Sequence, residues 1–170
     1  MVLNALRQYN IDIFNLSYAT HNYEFEVNDL FFDHFKSSLV EKGIAEVTVS
    51  LTKSETLIEA QFKIKGEIEL ECDRSLEKYN ENIESTNNML FKYGDHWEEL
   101  SDEIMIIPRE EQTLNVGQYI YEFICLDIPM KKIHPKFRNQ EDEGVIYSSK
   151  EEKNETKVDP RWDKLKGLIK

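Results

Sequence analysis

The chain has 170 residues, which is enough for one domain with a substantial core and an appended segment. Hydrophobic residues make up 40% of it and the formal net charge is −12, so we expect a folded, acidic protein. No apolar run approaches the roughly 20 residues of a membrane-spanning helix. The first residues also lack the basic and apolar regions of a secretory signal, so we expect a cytoplasmic protein.

The charge is distributed unevenly along the chain. Residues 1–129 carry a balance of −15, whereas residues 130–170 carry +3. Because affinity for a phosphate backbone comes mostly from lysine and arginine, we do not expect the acidic body to wrap nucleic acid. Two interpretations of the acidity remain open: it keeps the domain soluble, or it attracts a basic protein partner.

The first predicted elements are two strands and a short aromatic helix. Residues 10–16 and 18–27 are rich in tyrosine, phenylalanine and isoleucine, which favours strands. Asn28 and Asp29 are typical of a helix cap and precede the aromatic segment 30–35. We expect that segment to fill part of the core.

The strongest pattern in the sequence is a strict alternation of apolar and polar residues. It begins in residues 44–53 and is clearest over residues 58–72, where it predicts a long antiparallel strand with one buried face. A strand of this length must bend in a compact domain, and Gly66 is the expected place for a bulge or kink. A bent, very long strand predicts a strongly curled sheet or partial barrel.

Further strands and one covering helix complete the predicted body. Strands are expected at residues 82–93 and 103–108. Asn115, with Gln118 three residues later, has the pattern of a capping box, and Pro129 ends the helix. The apolar residues of this helix recur at helical spacing and should cover the sheet: Val116, Tyr119, Ile120, Phe123 and Ile124.

The sequence therefore predicts an α+β fold: a curled, mostly antiparallel sheet or partial barrel with a covering helix, a flexible linker and a C-terminal helix. The sheet-plus-helix domain spans residues 1–138, and the charged, polar residues 139–158 form the linker. Residues 159–170 form the C-terminal helix, in which Asp159 caps and Pro160 occupies the first turn. Its apolar face holds Trp162, Leu165, Leu168 and Ile169.

The two cysteines do not predict a disulfide framework, a metal site or a catalytic thiol. Cys72 and Cys125 are far apart in sequence, and the residue three after Cys72 is Ser75 rather than a second cysteine. Arg74 is close, but no histidine lies near in sequence to act as a base. The phase of the strand places Cys72 inside, so we expect a buried, inert thiol. We predict no cofactor, no metal and no catalytic residue.

Two basic segments are the candidates for contact with phosphate. The run at residues 131–138 carries four cations around Phe137, which fits an RNA contact, although a soluble loop that offsets the acidic body remains an equal alternative. The C-terminal helix is marginal alone in water, so we expect it to become ordered on docking. The residues predicted to contact RNA or a partner are Arg74, Lys131, Lys132, Lys136, Arg138, Asp159, Pro160, Arg161, Trp162, Lys164, Leu165 and Lys166.

Three segments resemble the YceD family, the large ribosomal RNA subunit accumulation proteins. Residues 66–77 are similar to the family's "G…C-x-R-C-L" segment, and residues 116–129 resemble its "E-x-I-x-L-x-L-P" helix. Residues 159–165, Asp-Pro-Arg-Trp-Asp-Lys-Leu, are similar to its closing "D-P-R-W/F-x-x-L". The resemblance spans nearly the whole chain.

The chain also departs from the family pattern. Many members carry a second cysteine where this chain has Ser75, and cysteines where it has Ile133, His134 and Pro135. The resemblance therefore implies that any zinc site of those members is absent here.

The resemblance implies a role in ribosome biogenesis and brings no catalytic residues with it. We expect a non-enzymatic factor for 23S rRNA accumulation and large-subunit assembly. Its acidic body would bind a basic ribosomal protein or another assembly factor, and its basic C-terminal segments would contact rRNA or the pre-ribosomal particle. Two alternatives stay open. One is a metal-dependent hydrolase or nuclease that acts on rRNA precursors through Asp73, Glu77 or Glu122. The other is a dedicated chaperone of one basic ribosomal protein.

Overall fold

The computed structural model describes residues 2–35 and 39–138. A 3₁₀ helix at Val2–Tyr9 comes first. The strands are β1 (Asn10–Asp12), β2 (Thr20–Val27), β3 (Gly43–Lys53), β4 (Leu57–Glu71), β5 (Lys78–Gly94), β6 (Glu98–Ser101), β7 (Ile104–Pro108) and β8 (Thr113–Asn115). The α-helices are α1 (Asp29–Phe32), α2 (Gly117–Leu126) and α3 (Pro135–Arg138). The predicted linker at 139–158 and the predicted helix at 159–170 lie outside the described residues.

The predicted α+β fold with a mostly antiparallel sheet is confirmed. Six strands form one sheet in the order β2-β3-β4-β5-β7-β6, and the sheet does not close into a barrel. Each neighbouring pair is antiparallel except β5 and β7, which are parallel. β1 and β8 form a separate antiparallel pair. The sheet thus has two edges, β2 and β6, with the long strands β4 and β5 near its centre.

The alternating pattern of β4 is confirmed, although Gly66 on the inward side is only half-buried. Most of its inward side chains are buried while the polar residues between them face outward. One face of this strand therefore forms part of the hydrophobic core. The buried residues of β4 and of the position after it are Ile58, Ala60, Phe62, Ile64, Ile68, Leu70 and Cys72.

Gly66 does not form the bulge that the sequence predicts. The pairing of β4 with β3 and β5 continues without a shift through Gly66, which lies opposite Ala45 and Ile83. A Cβ atom at this position would stand 2.3 Å from the carbonyl oxygen of Ile44 and 2.6 Å from Cα of Ala45. Gly66 therefore allows β3 to approach β4 closely, and the prediction of a bulge is wrong.

Helix α2 covers the inner face of the sheet, as the sequence predicts. Ile120 and Ile124 are fully buried, and Phe123 packs edge-on against Phe62 of β4 with ring centroids 5.1 Å apart. Tyr119 packs edge-on against Phe91 of β5, with ring centroids 5.4 Å apart. These aromatic contacts fix the helix on the two longest strands.

An aromatic cluster closes the other part of the core. The ring centroid of Phe31 in α1 lies 5.0 Å from that of Tyr9 and 5.1 Å from that of Phe35. Phe35 in turn stacks on Tyr121 of α2 at 3.8 Å. The expectation that the aromatic segment after Asn28 fills the core is therefore confirmed, although the Asn28 side chain makes no capping hydrogen bond.

Two local details differ from the sequence predictions. The first strand is only three residues long, because the Asp12 carboxylate accepts hydrogen bonds from the backbone N–H groups of Phe14 and Asn15 and so forms a turn. At α2 the Asn115 side chain accepts the Gly117 N–H at 3.0 Å. The reciprocal half of the capping box is absent, since Gln118 donates instead to Glu122.

Among the described residues, no helix has the length and hydropathy required to cross a membrane.

Candidate functional site

The turn between β4 and β5, residues 72–77, is closed by its own backbone. The Cys72 N–H donates to the Glu77 carbonyl at 3.0 Å, and the Leu76 N–H donates to the Cys72 carbonyl at 2.9 Å. Leu76 has a φ of 58°, in the left-handed region that residues with a Cβ rarely occupy. The turn therefore presents its side chains in a defined arrangement.

The segment that follows α2 docks on this turn. The Asp73 N–H donates to the Lys132 carbonyl at 2.8 Å, and the Lys132 N–H donates to Asp73 Oδ2 at 2.7 Å. Two positions after Lys132, the His134 N–H donates to Cys72 Sγ at 3.3 Å. Three hydrogen bonds between residues about 60 positions apart in sequence thus hold the basic run against the β4–β5 turn.

This docking brings together five of the residues that the sequence predicts as contacts, and we call them the cationic cluster: Arg74, Lys131, Lys132, Lys136 and Arg138. The Arg74 guanidinium lies over the Phe137 ring, 5.2 Å from its centroid. The remaining predicted contact residues belong to residues 159–166, outside the described part of the chain.

Part of the charge of the cationic cluster is already neutralised. Lys132 Nζ lies 3.8 Å from Asp73 Oδ1, and Arg138 forms an ion pair with Glu81 while covering the Tyr79 ring. Arg74 and Lys136 are exposed and form no ion pair within residues 2–35 and 39–138. These two cations are therefore better placed than Lys132 or Arg138 to meet an external anion.

Cys72 is fully buried, as predicted, but its thiol is not in an ordinary environment. Burial raises its pKa, and hydrogen bonds from the Ser75 side chain and from the backbone N–H groups of His134, Ser75 and Arg74 outweigh that effect and lower the pKa to about 7. The burial of Cys72 is thus confirmed, and because solvent does not reach the thiol, its inertness stays a prediction.

The groups around Cys72 do not fit a zinc site. A structural zinc takes four nitrogen or sulfur ligands. Here one thiol accepts hydrogen bonds from its neighbours, the nearby position 75 offers only a hydroxyl, and Nδ1 of His134 accepts the Lys136 N–H at 3.1 Å. Among the described residues, no three side chains of histidine, cysteine, aspartate or glutamate are grouped so that they could hold a metal ion.

A second surface, which the sequence analysis missed, is a groove of about 1060 Å³ beside α2. We call it the acidic groove. Residues of the 3₁₀ helix, of β1, of β5–β8 with their connections and of α2 line it. The apolar side chains among them are Leu6, Met89, Trp97, Met105, Leu114, Tyr119, Phe123 and Leu126. Trp97 is 47% exposed and Leu126 is 75% exposed, so large apolar side chains of the groove face solvent.

The charged side chains of the acidic groove are three carboxylates and one guanidinium: Glu99, Asp102, Glu122 and Arg7. None of the three carboxylates forms an ion pair in the part of the chain that the structure describes. By contrast Asp73, Glu81 and Glu69 each pair with a lysine or arginine. The groove thus combines apolar surface with a net negative charge, since three carboxylates stand against one guanidinium.

The negative charge of the groove affects the pKa of the Tyr119 hydroxyl. Burial raises the pKa of Tyr119, and the charges of Glu122 and Glu99 raise it further, to about 12. The two carboxylates stand on different elements, α2 and β6, yet both act on one phenol. Their negative potentials therefore overlap within the groove.

The sequence contains little that would have revealed the acidic groove. Its residues range from position 6 to position 126 and come from seven elements or their connections. One local signal existed: Leu126 follows Phe123 by three residues and Tyr119 by seven, so helical spacing extends the apolar stripe of α2 towards the groove.

The fold and its surfaces define an α+β protein with one open sheet, a cationic cluster and an acidic groove. The family model described as Large ribosomal RNA subunit accumulation protein YceD matches residues 60–169, and the chain belongs to this family. The matched region includes the β4–β5 turn, α2 and the cationic cluster. No curated protein and no solved structure matches the chain.

Proposed function

We propose that this chain is a non-enzymatic assembly factor for the large ribosomal subunit, in line with the description of its family. Its acidic body binds a basic protein, either a ribosomal protein or another assembly factor. The cationic cluster and residues 159–170 contact rRNA or the assembling particle. The cell compartment of such a factor is the cytoplasm.

The separation of charge on one domain is the observation that supports this proposal. Residues 131–138 hold four cations and no acidic residue, whereas the acidic groove holds three carboxylates without an ion pair among the described residues. Phosphate binds where lysine and arginine are concentrated, and acidic surfaces repel it. Two surfaces of opposite charge therefore suit a protein that links an RNA to a basic protein.

The sheet's outer face fits RNA less well than the cationic cluster does. Its lysines are interleaved with acids: Lys65 on β4 lies opposite Glu46 on β3 and Glu84 on β5. A phosphate approaching Lys65 would also meet these two carboxylates. This argues that RNA contact is made at the cationic cluster.

The use of Asp73 supports the non-enzymatic part of the proposal. Both of its carboxylate oxygens interact with Lys132, one with the backbone N–H and one with the ammonium group. Such an engaged carboxylate serves to hold the basic run in place. Glu122, another candidate of the hydrolase alternative, stands on a different element, where it accepts a hydrogen bond from Gln118.

The proposal predicts that reversing two cations of the cluster weakens association with the particle. We expect Arg74→Glu combined with Lys136→Glu to lower the affinity for large-subunit precursors by about tenfold or more, because two phosphate contacts are lost. The measurement is the fraction of protein that co-sediments with precursors on sucrose gradients, at several salt concentrations. The slope of log affinity against log salt should become shallower by roughly 0.7–0.9 per lost contact.

The matched control is Lys63→Glu combined with Lys65→Glu, which makes the same change of charge on the exposed outer face of β4. We expect it to co-sediment almost as the unaltered protein does. Equal losses for the two double variants would refute the assignment of RNA contact to the cationic cluster. A protein found only at the top of the gradient, even when assembly is stalled, would refute the proposed function itself.

The acidic groove also favours a second candidate, a chaperone of one basic ribosomal protein that does not contact RNA. Co-purification of a basic protein that survives nuclease treatment, without any co-sedimentation with precursors, would favour the chaperone over the assembly factor.

A further inference from the structure

We infer that the acidic groove is the docking site for a partner protein, and that it binds a cationic segment carrying a leucine or aromatic side chain between lysines or arginines. The inference rests on the proposed function for the nature of the partner, since it specifies where the acidic body binds a basic protein. It goes further by naming the surface and the side chains that such a partner must offer.

The apolar lining requires an apolar side chain in the occupant. Met89 and Phe123 form the buried base of the groove, while Trp97 and Leu126 leave large apolar areas in water. Removing apolar surface from water is favourable, so covering these side chains favours binding. A purely polar or purely charged segment would leave this surface exposed.

The carboxylates require positive charge in the occupant. Glu99 and Asp102 on the β6 side and Glu122 on α2 flank the apolar base. Because none has an ion-pair partner within the described residues, an incoming lysine or arginine gains an opposite charge without breaking an existing pair. A nucleic acid would instead bring its phosphates against three carboxylates.

The edge strand provides a further docking element. β6 forms one edge of the sheet and pairs only with β7, and all four of its residues are exposed. An extended segment can add to such an edge through backbone hydrogen bonds while its side chains enter the neighbouring groove. The geometry therefore suits an unfolded basic segment as well as a folded one.

The probe is a fluorescein-labelled synthetic 12-residue peptide that alternates lysine and leucine, and binding to the full chain is measured by fluorescence anisotropy. We expect the combination of Glu99→Lys and Glu122→Lys to weaken binding at least tenfold. Leu126→Asp should weaken it to a similar degree, because it places a charge on the apolar surface. The matched control is Glu67→Lys, an exposed acid on the outer face of β4, which should bind the peptide almost as the unaltered chain does.

A second peptide, with serine in place of each leucine, separates groove binding from general charge attraction. We expect it to bind at least tenfold more weakly than the leucine peptide. Equal affinity of the two peptides, or equal losses for Glu67→Lys and for the groove variants, would overturn the inference. Circular dichroism of each variant checks that a loss of binding does not come from a loss of fold.

Other occupants give distinct results. If a second copy of the chain filled the groove, sedimentation equilibrium would show a dimer that Leu126→Asp converts to a monomer. If residues 159–170 filled it, Trp162→Ala would raise the affinity for the leucine peptide about tenfold. Either result would overturn the choice of a partner protein.

Failure of the inference is distinguishable from failure of the proposed function. Peptide binding is measured on the purified chain without ribosomal particles, whereas particle association is measured on gradients. Co-sedimentation without groove-dependent peptide binding would overturn this inference alone. Groove-dependent binding without co-sedimentation would leave the groove in place and refute the role in assembly.

Discussion

Replacing Phe62 with alanine is expected to lower the free energy of unfolding by about 3–5 kcal/mol, the usual range for a buried phenylalanine. Phe62 is fully buried on β4 and contacts both Phe123 and Tyr119 of α2. The substitution leaves a cavity between the sheet and its covering helix, and both aromatic contacts are lost. Since a domain is stable by only about 5–15 kcal/mol, the variant should be close to unfolding. Urea denaturation followed by circular dichroism measures the change.

The control for Phe62→Ala is Lys63→Ala, one position away on the same strand. Lys63 faces outward, so we expect a change within about 0.5 kcal/mol. A loss below about 1 kcal/mol for Phe62→Ala would contradict the packing of α2 on β4. Such a result would also remove the support for the acidic groove, because Phe123 and Tyr119 line it.

Gly66→Ala is expected to cost about 3 kcal/mol of stability, an unusually large effect for the addition of one methyl group. The new Cβ atom would stand 2.3 Å from the Ile44 carbonyl oxygen and 2.6 Å from Cα of Ala45. Both are backbone atoms of β3, so relief requires the strand to move and its hydrogen bonds to β4 to stretch. The midpoint of thermal or urea unfolding measures this effect.

Gly94→Ala is the matched control for this close approach. There the nearest atom to the added Cβ is the Cγ2 atom of Ile106, which belongs to a side chain and not to the backbone, so relief does not require a whole strand to move. We expect a smaller loss of stability than for Gly66→Ala. Equal losses, or a greater loss at Gly94, would mean that Gly66 does not serve the close approach of β3 and β4.

The part of the fold that the sequence predicts well is the part with one buried face. In β4 the contrast between inward residues such as Phe62 and outward ones such as Lys63 repeats every second position, and burial enforces this pattern. β6 and the parallel pairing of β5 with β7 escaped prediction. All four residues of β6 are exposed, so no buried face shapes its sequence. The pairing of β5 with β7 depends on contacts that no local pattern encodes.

The candidate site is predictable only where its residues are adjacent in sequence. The basic run at residues 131–138 is visible as a cluster of cations, but its docking on the β4–β5 turn is not. That docking depends on Asp73 and Cys72, about 60 residues earlier in the chain. The same docking neutralises part of the charge through Asp73 and Glu81, which reduces the cations available to RNA. The acidic groove was not predicted for a similar reason, because its residues are distant in sequence and come together only in the folded chain.

A map of where RNA touches the chain in cells tests whether the two basic segments make the RNA contact. Ultraviolet crosslinking followed by mass spectrometry identifies the peptides that carry crosslinked nucleotides. We expect crosslinks within residues 131–138 and 159–170, and none on the outer face of β2–β5. Crosslinked nucleotides around Lys63 and Lys65, with none in the two basic segments, would contradict it.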